Sequence, residues 1–129
     1  MEIKAIEIGK FIKQTLLSSE KISAQVKVIN TWVAPNETNF PYIIFYRTSV
    51  TPHYTKDGYT YSDVSFDIDV IHNNYDKSVE LAQDVIQRLN LLSYYEGDVK
   101  VRDLKVTNIS ESFQYDSFVQ KLSFTAQAN

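Results

Sequence analysis

Within residues 61–71 the chain alternates strictly from 63 to 70: Val64, Phe66, Ile68 and Val70 take every second position, and Asp63, Ser65, Asp67 and Asp69 take the positions between. Successive side chains of a β-strand point to opposite faces, so this spacing predicts a strand with one apolar and one acidic face. Nearer the N-terminus, Ile8, Phe11, Ile12, Thr15 and Leu16 recur at three- and four-residue steps with Glu and Lys between them, which predicts an amphipathic helix over 2–18. The segment "VKVINTWV" (26–33) is short and β-branched, and the Pro and Asn residues of "APNETNFP" mark the loop that follows it. Trp32, at the end of this strand, is expected to pack rather than to bind a ligand.

A further strand opens near Phe40 in "FPYIIFYRTSV" and leads to Asp57-Gly58, a dipeptide suited to the positive φ angles of a two-residue hairpin turn. If Lys56 pairs with Tyr59 on an unbroken ladder, Arg47 falls opposite Ile68 and Tyr46 opposite Asp69, a poor match. A one-residue bulge would bring Arg47 opposite Asp67 or Asp69 instead, and Pro52, which cannot donate a ladder hydrogen bond, is a suitable place for it. The segment "NNYDKSVELAQDVIQRLNLL" (73–92) predicts a second helix with a stripe of Val79, Ala82, Val85, Ile86 and Leu89, capped by Asn74 or Asp76. Two closing strands follow in "VKVRDLKVTNIS" and "FVQKLSFTAQA", separated by a turn near 115–117; Phe118, Leu122, Phe124 and Ala126 share one face of the second. The order helix, strand, long hairpin, helix, two strands predicts an α+β fold. It should form a single domain over 1–129, with a mainly antiparallel sheet, a long projecting β-hairpin and two helices packed on one face.

Composition narrows the function. At 43% hydrophobic and 22% charged residues the chain has the balance of a globular protein, and its 129 residues suffice for one core that buries about two thirds of the unfolded surface. Nine Tyr and seven Phe make it rich in residues favoured in strands and at protein interfaces. The chain has no cysteine, which excludes disulfides, thiolate metal sites and thiol nucleophiles. A net charge of −3 without a basic stripe argues against duplex nucleic acid held by phosphate contacts, and no sequence-specific nucleic-acid partner is expected. No apolar run resembles a signal peptide or a membrane span, so a protein that stays off membranes is expected.

Candidate chemistry is sparse. In "DIDVIH", Asp67, Asp69 and His72 suggest a metal-dependent hydrolase, but His72 lies an odd number of steps from the two carboxylates and should point to the other face. A glycosidase pair would need carboxylates in unlike environments. Three isolated glycines cannot build a phosphate-binding loop, and no nucleophile-elbow motif is present. No catalytic residue, metal or cofactor is therefore expected. A free-standing ligand-binding domain would require a deep apolar pocket. The hairpin end gathers Tyr46, Tyr54, Tyr59 and Tyr61 around Arg47, His53 and Lys56. Such a mixture can stack single-stranded bases, but Tyr and Arg also concentrate at protein interfaces, and the adjacent acidic row disfavours nucleic acid. Tyr54, Tyr59, Tyr61 and Lys56 are accordingly the candidate protein-contact residues, and Asp63, Asp67 and Asp69 form a solvated or interface-facing acidic ladder.

The N-terminal helix, the turn and strand start in "VAPNETNFPYIIFY", the strand-to-helix passage "SFDIDVIHNNYDKSVELAQDVIQRLN" and the late strand "FVQKLSFTA" together resemble the tail completion, or tail terminator, proteins of long-tailed bacteriophages and prophages. The resemblance extends over most of the chain in order and spacing. It implies a non-enzymatic α+β subunit that forms a ring, commonly a hexamer, on the last ring of the tail tube. There it would halt polymerisation and present a surface for head joining, and in such a ring Asp63, Asp67 and Asp69 would form a lumen-facing or inter-ring acidic face. The implied partners are further copies of itself, the major tail tube protein and a head–tail connector protein. The implied location is the tail of a virion assembled in the bacterial host cytoplasm. Another connector or head-closure component would use the same ring logic at a different level of the particle. The family offers no catalytic residues to carry over.

Overall fold

In the computed structural model, residues 2–26, 28–32, 40–114 and 116–129 are described. The fold is α+β: a five-stranded sheet in the order β1-β2-β3-β5-β4 with helices on one face. The strands are β1 (Val28–Thr31), β2 (Tyr42–Thr55), β3 (Gly58–His72), β4 (Val101–Gln114) and β5 (Ser117–Ala128). β1 runs parallel to β2, and every other neighbouring pair is antiparallel.

The N-terminal helix begins as a 3₁₀ turn (Lys4–Glu7), continues as α1 (Ile8–Leu17), and is followed by a separate short helix α2 (Glu20–Ser23). The break falls at Ser18 and Ser19 because Ser19 starts a new helix: its Oγ accepts a hydrogen bond from the Ile22 N–H at 3.3 Å. All five residues of the predicted apolar stripe are buried. The second long helix, α3 (Tyr75–Leu89), is capped by Asn74, whose side chain accepts from the Lys77 N–H at 3.0 Å. Its buried face is Ser78, Leu81, Ala82, Asp84, Val85 and Leu89, while Val79 and Ile86 from the predicted stripe are only half-buried. Asp84 joins α3 to the α2 region through Lys21 (2.9 Å) and Gln25 (2.9 Å). Arg88 joins α3 to the end of α1 through the Thr15 carbonyl (3.2 Å) and the Ser18 hydroxyl (2.8 Å). These helices cover Ile43, Phe45, Val64, Phe66, Ile68, Val70, Leu122, Phe124, Ala126 and Ala128, the apolar face predicted from strand alternation. At its centre Phe66 and Phe124 oppose each other across β3 and β5, with ring centroids 5.3 Å apart.

The hairpin ladder is interrupted twice. Thr55 pairs with Gly58, so Lys56 and Asp57 form the turn rather than Asp57 and Gly58, and Gly58 takes the positive φ of 120°. One register shift, between His53 and Tyr54, leaves Thr60 as an extra residue on β3; a second, between Arg47 and Ser49, leaves Thr48 as an extra residue on β2. Bulges are thus present on both sides of Pro52, but they compensate one another. Arg47 consequently faces Phe66, not Asp67 or Asp69, and its guanidinium donates to the Ile6 carbonyl at 2.8 Å. The hairpin extends beyond the last β3–β5 pair, Ser62–Ala128.

Candidate functional site

The face of the sheet away from the helices carries the acidic row. Strand alternation places Asp63, Ser65, Asp67 and Asp69 of β3 there, opposite Gln127, Thr125, Ser123 and Lys121 of β5. The three carboxylates have unlike surroundings. Asp63 lies at the hairpin end, 2.6 Å from His53 Nε2. Asp67 is half-buried. Asp69 is the most enclosed: its Oδ2 accepts from the Tyr46 hydroxyl at 3.5 Å, the limit for such a bond, and its Oδ1 is buried without a hydrogen-bond partner among the described residues. Burial pushes the Asp69 carboxyl above the usual carboxylate range and the charge of Asp67 adds to this, against the opposing effects of Lys121 and the Tyr46 hydroxyl.

Tyr46 connects this row to Lys121, not singled out from the sequence, and to Trp32, expected there to pack. The Lys121 ammonium donates to the Tyr46 oxygen at 2.8 Å and lies 3.9 Å from Asp69 Oδ1. That hydrogen bond is the main cause holding Lys121 above its ordinary pKa. Trp32 stacks on the Tyr46 ring at 4.4 Å, is 66% exposed and has a positive φ of 63°. Trp32 therefore packs on one face only and presents the other to solvent. Lys121 breaks the otherwise uncharged polar face of β5, but placing it beside Asp69 requires the β3–β5 register, which local spacing does not provide.

The hairpin-tip residues do not form one patch. Tyr61 stacks on His53 at 4.7 Å, with the Arg102 guanidinium 5.2 Å from its ring centre, on the same side as Asp63. Tyr59 faces the other way, its hydroxyl 2.7 Å from that of buried Ser62 and its ring edge-on to Tyr54 at 6.0 Å. The extra residue Thr60 between them reverses the parity that would otherwise place Tyr59 and Tyr61 on one face. Tyr54 is 58% exposed, and Lys56 stands exposed in the turn.

His72 pairs with Phe118, on the opposite parity to Asp67 and Asp69. Among the described residues no group of three or more His, Asp and Glu side chains could hold a metal ion. A depression of about 450 Å³ beside the acidic row is lined mainly by polar residues, among them Asp63, Ser65, Asp103, Lys105, Thr125 and Gln127. Such a surface suits contact more than enclosure of an apolar ligand.

No protein-family model and no curated protein matches the chain. Its fold is shared with a chain of a solved structure described as the virion of a native gene transfer agent (GTA) particle. The TM-score is 0.75 and the identity 18%, over 91% of this chain and 90% of that one. At that identity the likeness is one of fold.

Proposed function

We propose that this chain is a structural subunit of a phage or prophage virion, a tail-terminator-like domain over 1–129 that forms a ring, most simply a hexamer, on the end of the tail tube. The observation that carries this reading is the fold held in common, over nine-tenths of both chains, with a component of a GTA virion. The order of elements that resembles tail terminator proteins supports it independently. In this reading the ring ends polymerisation of the major tail tube protein and offers the joining surface to a head–tail connector protein. The protein resides in the virion tail after assembly in the host cytoplasm. It works by contact, without catalysis.

The helix-free face with Asp63, Asp67 and Asp69 lines the lumen or meets the adjoining ring, where like charge keeps a passing polyanion mobile. Tyr54, Lys56, Tyr59 and Tyr61 at the hairpin end contact neighbouring subunits or the tube. Deletion of the gene from its element, followed by electron microscopy of the particles, tests the proposal. Tubes of uncontrolled length without heads, restored to fixed length by the gene in trans, are expected. Head-joined tails of unchanged length in the deletion strain would overturn it.

A further inference from the structure

The two outer edges of the sheet are treated differently by the sequence. On one side the edge is the four-residue β1, and the part of β2 beyond it carries a bulge at Thr48 and a proline at 52, both of which discourage another strand from pairing. On the other side β4 is outermost, and its first half is covered by the segment after α3. Tyr94 and Val101 exchange two hydrogen bonds of 2.8 Å, the Leu91 N–H donates to the Leu104 carbonyl at 2.7 Å, and Asn90 Oδ1 accepts from the Val106 N–H at 3.0 Å. Beyond that point the cover stops. Residues 107–114, "TNISESFQ", are all exposed and contain no Pro, Lys or Arg; a bulge leaves Thr107 unpaired, and 108–114 pair on one side only among the described residues. Past Thr107 the ladder is regular to Gln114 and Glu111 is the one charge on it; a regular edge of this length is a template for an added strand.

Its side chains specify what would add. Opposite Leu122, Gln120 and Phe118, the residues Ile109, Glu111 and Phe113 point to the helix-bearing side. Ile109 and Phe113 are 55% and 59% exposed. Phe118 forms an aromatic floor, with Phe113 at 4.9 Å and Tyr75 at 5.4 Å. Between the two apolar positions, Glu111 accepts from the Tyr75 hydroxyl (3.1 Å) and from Gln120 (3.1 Å) through one carboxylate oxygen.

We propose that this edge takes an extended segment of a different protein as a sixth strand. The segment has the pattern apolar–x–Lys/Arg–x–apolar, with its basic residue opposite Glu111 and its apolar residues against Ile109 and Phe113. The pattern is palindromic, so it serves a parallel or an antiparallel partner. Two features argue against a second copy of this chain. Two β4 strands paired antiparallel in the register that sets Ile109 against Phe113 would place Glu111 opposite Glu111, a like-charge pair that destabilises a ladder. Within this chain the pattern occurs only around Lys10 and Lys77, and both lie in helices. The inference goes beyond the ring reading and does not depend on it.

The test uses the full chain and two seven-residue peptides of alternating Thr, one with Val, Lys and Phe at the intervening positions and one with Glu in place of Lys. Amide shifts and hydrogen exchange of residues 107–114 are followed by NMR during titration to millimolar peptide. The Lys peptide should shift and protect these amides and bind about threefold or more tightly than the Glu peptide, as expected for exchanging an opposite-charge for a like-charge cross-strand pair. In Glu111→Lys, checked for folding by circular dichroism, the preference should reverse. Absence of shifts in 107–114, equal binding of both peptides, or an unreversed preference in the variant would overturn the proposal. So would concentration-dependent protection of these amides without peptide, which would mean that two copies pair.

Discussion

Replacing Tyr46 by Phe removes one oxygen from the centre of the acidic face and leaves the ring on Trp32 in place. That oxygen accepts from Lys121 at 2.8 Å and donates toward Asp69 at 3.5 Å, so it relays a donor from an ammonium to a carboxylate. A buried hydrogen bond to a charged group contributes about 1.5–3 kcal/mol. Lys121 has a 41% exposed side chain, so screening reduces the figure to about 1 kcal/mol. Tyr46→Ala also removes the stack on Trp32 and the half-buried ring, and should cost about 2–3 kcal/mol. Urea unfolding followed by circular dichroism measures both. The decisive readout is titration by carbon-detected NMR. Asp69 loses a bond that lowers its pKa and should titrate higher in Tyr46→Phe, whereas Lys121 loses its main raising influence and should titrate lower. An Asp69 midpoint that stays in place or falls would refute the relay, as would a Tyr46→Phe variant as unstable as Tyr46→Ala.

Asp69 also predicts a pH dependence. Its folded pKa is raised, chiefly by burial, so the stability it contributes is present below the ordinary carboxylate value and is lost as pH rises through the folded value. Asp69→Asn should therefore be more stable than the parent at neutral pH and indistinguishable from it below the ordinary carboxylate range; urea titrations at successive pH values check the sign. Tyr54→Ser with Lys56→Ser alters exposed residues at the tip, so the monomer should change by less than about 0.5 kcal/mol, while tail assembly, scored by electron microscopy, should fail if the tip is a contact. Phe124→Ala removes a ring that is 1% exposed and stacked on Phe66, which should cost about 3–5 kcal/mol in the same unfolding assay.

The periodic features were legible in the sequence because helix and strand repeats are set by local geometry. The α1 stripe, the Asn74 cap and the alternating face of β3 all lie where spacing places them. The buried face of α3 was legible only in part: Leu81 is buried and Val79 and Ile86 are half-buried, since the sheet beneath, not the stripe alone, decides which side is covered. Contacts between distant segments were not legible. Lys121 meets Asp69 through a register fixed across an intervening helix, and the bare half of β4 is an edge only because β5 pairs between it and β3. The turn was misplaced by one residue because Gly58 supplies its positive φ at the first position of β3 rather than inside the two-residue loop.

The paired bulges have a cause that the β2 sequence contains. Its core-facing residues change parity, from Ile43 and Phe45 to Val50 and Pro52, and an unbroken strand cannot turn both sets toward the helices. The extra residue Thr48 resolves the conflict by setting Val50 opposite Val64 and carrying His53 to the helix-free face beside Asp63. Thr60 then reverses β3 beyond Tyr61, so that Tyr59 and Tyr54 form one aromatic side of the tip while Tyr61, His53 and Arg102 form the other. An arm with two chemically unlike sides cannot make the same contact on both. One side is continuous with the acidic row and the other with the helix-bearing face, which suits a subunit held between unlike neighbours, as a terminal ring is held between a tube and the component that joins it.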